Sequence, residues 1–140
     1  MISLDQANQI IAGALAKASE LGLKPLAVTV VDAGGHVIAF QRQDRASIGR
    51  FQIANGKACG ALFLGVSSRK IGDMAAERPT FIATAAASAP AGLIPAAGGV
   101  IVVDSSGAPI GAVGVTGDTS DNDELCTLAG IAAAGLNPQP

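Results

Sequence analysis

The chain has 140 residues, with 9 Lys and Arg against 11 Asp and Glu and a formal net charge of −2. That balance leaves no electrostatic footprint for DNA or RNA, and the four aromatic residues, all Phe, offer no surface for base stacking. Charged residues make up 14%, well under the roughly 25% of an ordinary globular domain, so part of the surface is expected to be covered in a homo-oligomer.

The length predicts one domain, residues 1–140, able to bury a core without disulfides or metal. Ser3 and Gln6 stand at capping-box spacing. Ala7, Ile10, Ile11, Ala14, Leu15 and Ala18 then form the stripe of an amphipathic helix, stopped by Gly22 and Pro25. Two stretches repeat one phrase: Val28 to Ile38 and Val100 to Ile110 each read as a β-branched strand, an Asp-led turn with Gly, and a second strand. They predict hairpins over about 26–43 and 99–116. Between them a helix is expected from near Ser47 to about Phe63, with a stripe of Phe51, Ala54, Ala58, Ala61 and Leu62 and three weakening glycines. A short helix from about Ser68 to Glu77 follows. Pro79, Pro90, Pro95 and the glycines up to Gly99 then predict a long irregular segment. Asp121 is the expected N-cap of the last helix, with Glu124 at the box position and Gly135 ending it. The order α-β-β-α-α-β-β-α predicts an α+β fold with an antiparallel sheet of two hairpins, its helices on one face or both.

No basic leader and no continuous apolar span are visible, and Cys59 and Cys126 form no CxxC. A cytoplasmic protein with two reduced thiols and no membrane partner is expected; the sequence leaves a disulfide between them open.

The pieces Val30-Val31-Asp32-Ala33-Gly34-Gly35, Arg42-Gln43-Asp44, Ile53-Ala54-Asn55-Gly56-Lys57-Ala58, Pro79-Thr80-Phe81, Gly98-Gly99, Gly111 to Gly117 and Asp121-Asn122-Asp123-Glu124 occur in order over roughly residues 3–134. Together they resemble the GlcG/HbpS (DUF336) family of haem-binding proteins, which includes PduO C-terminal-type domains. The resemblance implies a profilin-like α+β fold, a symmetric oligomer, often an octamer, and haem as the candidate cofactor.

His36 is the only histidine, and imidazole is a common axial ligand of haem iron. It reads either as that ligand or as an ordinary turn residue. Gly98 and Gly99 would let a backbone approach a cofactor, and Thr116 opens a polar run toward a helix N-terminus, where anions can bind; helix capping explains that run equally well. Arg42 and Asp44 share a strand face and read as an ion pair, or Arg42 as a carboxylate clamp. Lys57 lies in apolar surroundings, where a lysine either snorkels or serves as a base. Asp118, Asp121, Asp123 and Glu124 lack calcium-loop spacing, so no metal site is expected.

Three functions follow. One is an oligomeric binding protein for haem or a related small molecule, using His36, Gly98, Gly99 and Thr116. Another is an isomerase or tautomerase on a small organic acid, with Arg42 clamping a carboxylate and Lys57 or Asp123 moving protons; a pocket enclosing Arg42, Lys57 and Gly99 would mark it. The third is an accessory or assembly protein without chemistry.

Overall fold

The computed structural model describes all residues, Met1–Pro140. Its elements run α1 (Leu4–Leu21), β1 (Ala27–Asp32), β2 (Val37–Arg42), α2 (Arg50–Leu64), α3 (Ser68–Glu77), α4 (Pro79–Ser88), β3 (Gly99–Val103), β4 (Pro109–Thr116), α5 (Ser120–Ala133) and β5 (Asn137–Pro138). The strands form one antiparallel sheet in the order β2-β1-β4-β3-β5. The α+β class and both hairpins are as the sequence predicts.

The two hairpin turns share one local chemistry. The Asp32 Oδ1 accepts the backbone N–H groups of Gly34 and His36 at 2.9 and 3.0 Å. In the second turn Asp104 Oδ1 accepts those of Ser106 and Ala108 at 2.8 and 3.0 Å. The positive φ that closes each turn falls on Gly35 (+82°) and Gly107 (+85°), where a Cβ would be strained.

Strand alternation then divides the core. Val28, Val30, Val100, Val102, Val113 and Val115 face α1 and α5, meeting Ile10, Ile11, Cys126 and Ile131. Val31, Ile101, Val103 and Ala112 face α2. Helices therefore cover both faces. Cys59 and Cys126 sit on opposite sides of the sheet, both free, so no disulfide joins them.

α2 lies unusually close to the sheet. Gly99 and Gly114 are cross-strand partners, and a Cβ at either would fall 2.2 Å from the Lys57 carbonyl oxygen or 2.0 Å from that of Ala54. The glycines expected to weaken α2 serve contacts too: Gly56 meets Ile94, and Gly60 meets Leu93. As a result the middle of α2 is buried nearly all round, not along one stripe.

Four boundaries differ from the sequence reading. Pro79 starts α4 instead of a loop, because proline at the first helical turn removes only an N–H that has no partner there. α2 begins at Arg50, after an N-cap glycine without a side-chain cap. Thr119, not Asp121, caps α5, accepting the Asn122 N–H; Asp121 and Glu124 instead grip Arg69 on α3. A fifth short strand, β5, pairs with β3.

Candidate functional site

A cavity of about 400 Å³ opens beneath the first hairpin turn. Three distant segments wall it: the turn Ala33–His36, the C-terminal half of α2 through Cys59, Leu62 and Phe63, and the loop Ala89–Gly92 that follows α4. Cys59 and Phe63 are four residues apart and so share a helix face. Phe63 remains 46% exposed. The walls are mostly apolar, with the His36 imidazole at the mouth. No lysine or arginine lines the cavity.

The His36 side chain is 83% exposed, with Nδ1 3.3 Å from Asp32 Oδ1. The ring lies over Gly34, where a Cβ would meet its Cε1 and Nδ1 at 3.0 Å. Backbone donation from His36 holds the Asp32 carboxyl below its ordinary range against a smaller opposing effect of burial. Cys59 donates to the Gly35 carbonyl (3.4 Å) and lies 3.6 Å from Asn55 Oδ1. Burial, helped by the Asp32 charge, pushes its thiol pKa up, so it stays a thiol near neutral pH.

Lys57 and Asp123 meet elsewhere, in a closed knot between α2, β4 and α5. Their side chains are 3% and 2% exposed, and Lys57 Nζ lies 3.2 Å from Asp123 Oδ2 and 3.0 Å from the Val115 carbonyl. Asp123 Oδ1 accepts the Asp118 N–H. Burial lowers the Lys57 pKa and raises that of Asp123, each opposed by the charge of the other. Gly98 and Gly99 belong to this knot. The Gly98 carbonyl accepts the Thr127 hydroxyl, and the Gly99 N–H donates to Ser68 Oγ. Thr116, also buried, accepts from Arg50 Nη1 at 2.9 Å.

Arg42 lines a separate, shallow polar depression with Leu23, Pro25, Gln43 and Asp44. It forms no ion pair with Asp44. Of the three depressions on the molecule, none encloses Arg42 together with Lys57 and Gly99. The acids near α5 are already engaged. Asp118 takes the Lys24 and Thr119 N–H groups and Asn122, which hold its pKa at about 2, while Arg69 takes Asp121 and Glu124.

The structure thus gathers Lys57, Asp123, Gly98 and Gly99 in one buried region and places His36 and Arg42 at two other sites. Sequence reasoning missed Cys59, Leu62, Phe63 and the 89–92 loop as cavity walls. The i, i+4 pair Cys59 and Phe63 and the length of the Pro- and Gly-rich segment that contains the loop were the available signals.

A family model described as "Haem degrading protein HbpS-like" matches residues 2–132, and the chain belongs to that family. No curated protein matches it. Among solved structures, the Klebsiella pneumoniae protein ORFY, described as DUF336, is 28% identical, with a TM-score of 0.85 over 96% of this chain and 90% of its own. HbpS is also 28% identical, with a TM-score of 0.79 over 93% and 87%. The PduOC:heme complex, 21% identical, superposes with a TM-score of 0.87 over 99% and 98% and shares the fold.

Proposed function

We propose that this HbpS-like protein binds haem, or a closely related tetrapyrrole, in the cavity beneath the first hairpin turn, with His36 as the iron ligand. The observation that carries the reading is the placement of the chain's only histidine at the mouth of an apolar cavity of about 400 Å³, within the size range of ligand sites. The residues present suit the group. Leu62, Phe63 and the 89–92 loop would cover the apolar macrocycle, and the flanking glycines leave room for a flat ring. Held by His36, the iron of such a group would supply one-electron chemistry whose potential depends on that ligand. The solved PduOC:heme complex and the family's description support the reading.

The acid–base reading has less support. Lys57 and Asp123 saturate one another out of reach of any cavity, so the haem reading assigns them, with Gly98, Gly99 and Thr116, to fastening the fold. Arg42, unpaired in its depression, is the one candidate residue still free to clamp a carboxylate. Low charge and the exposed Ile48, Phe81, Leu125 and Leu128 support a homo-oligomer.

Hemin titration followed by Soret absorbance, with native mass spectrometry on the same samples, tests the proposal. A saturable shift at fixed stoichiometry, lost in His36→Ala, is expected. No saturable shift, or an unchanged one in His36→Ala, would overturn the assignment of the site; a monomer at micromolar concentration would remove the oligomer.

A further inference from the structure

We infer that Asp32 is a positioning residue for His36: its carboxylate holds the imidazole by Nδ1–H and thereby presents Nε2 as the nitrogen for an iron ligand bond. The inference rests on the haem reading for the ligand and on geometry for the assignment. Asp32 Oδ1 lies 3.3 Å from His36 Nδ1 and takes the backbone N–H groups of Gly34 and His36 at 2.9 and 3.0 Å. Those two backbone bonds fix the carboxylate before any ligand arrives. Nδ1 faces this carboxylate, and Nε2 has no protein partner. A histidine that ligates a metal characteristically donates its second N–H to a carboxylate, which sets its tautomer and raises its basicity.

The second hairpin separates the two jobs of this aspartate. Asp104 makes the same turn, with Ser106 and Ala108 in place of Gly34 and His36. The turn alone therefore explains an Asp at each position, and the carboxylate–imidazole contact is the part that only the first turn has. Gly34 supplies the space for it. Its φ lies outside the left-handed region, yet a Cβ there would press on the imidazole at 3.0 Å. A side chain at this position perturbs the ring and leaves the backbone conformation unstrained.

The experiment compares wild type, His36→Ala, Asp32→Asn, Gly34→Ala and Asp104→Asn, each checked for folding by thermal melt. The sole histidine gives one set of imidazole ¹⁵N signals. In hemin-free protein at alkaline pH, wild type is expected as the Nδ1–H tautomer. Asp32→Asn and Gly34→Ala are expected to move toward Nε2–H, while Asp104→Asn stays with wild type. With hemin, Asp32→Asn is expected to bind ferric hemin about 10–100-fold more weakly, the usual effect of losing such a partner. If ferrous affinity is unchanged, the reduction potential rises by about 59 mV per tenfold for a one-electron couple. An Nε2–H tautomer in wild type, or an Asp32→Asn protein that matches Asp104→Asn in tautomer, affinity and potential, overturns the role of Asp32. Hemin binding that is unaltered in His36→Ala overturns the iron-ligand reading instead, whatever the tautomer shows.

Discussion

Replacing Lys57 by Met should destabilise the protein by about 3–5 kcal/mol, because it leaves Asp123 as an uncompensated buried charge. Asp123→Asn should cost a similar amount by stranding the lysine. At about 2.1 cal/mol/K of unfolding entropy per residue, 140 residues lose roughly 10–17 °C of melting temperature for that change. The double variant removes both charges and should be more stable than either single one, giving a coupling energy of several kcal/mol. The pH dependence separates the two singles. Burial raises the Asp123 pKa, so with its partner gone the folded state favours the protonated acid. Lys57→Met should therefore regain stability as pH falls toward the unfolded carboxyl value near 3.8. Burial lowers the Lys57 pKa, so Asp123→Asn should regain stability as pH rises toward 10.5. Urea melts of the four proteins from acid to alkaline pH provide the measurement. Two single variants that each cost under about 1 kcal/mol and simply add would show that water reaches the pair and that the closed knot is misread.

Other outcomes follow from particular contacts. Gly114→Ala should destabilise by about 3 kcal/mol or more, since its Cβ would fall 2.0 Å from the Ala54 carbonyl oxygen and force α2 off the sheet; a melt within 2 °C of wild type would contradict that packing. Thr29 is fully buried and its Oγ1 lacks a hydrogen-bond partner, so Thr29→Val should stabilise by about 1–3 kcal/mol in a urea melt, and a loss would point to a partner the hydroxyl does have. Asp118, with its pKa held at about 2, adds stability above the unfolded value of 3.8 that fades as pH falls through about 2. Asp118→Asn should flatten the acid limb of the stability curve, and an unchanged limb would remove that assignment. A disulfide reagent should modify Cys59 slowly, with hemin protecting it, and should leave Cys126 untouched until unfolding, since burial raises the Cys126 pKa to about 11; equal rates for both thiols would refute this ordering.

The sequence by itself determined what rests on near neighbours. The Asp–Gly turns, the Ser3–Gln6 capping box and the two-residue alternation of the strands each need only side chains, donors and φ values within a few positions, and each stands in the structure. The motif series also carries the resemblance to the family whose model matches residues 2–132. Local signals misled where a residue has two uses: Pro79 ends one helix and opens the next, and Asp121 could cap α5 but is drawn to Arg69. The tertiary structure decided which residues meet. Lys57 finds Asp123 only because Gly99 and Gly114 let α2 sink onto the sheet, so a lysine that sequence reads as either snorkelling to water or serving as a base becomes half of a closed ion pair. The cavity beside His36 is likewise assembled from a turn, a helix and a loop distant in the chain. Hydrogen-bond and backbone preferences are local, whereas burial, charge pairing and empty space arise only when distant segments pack together.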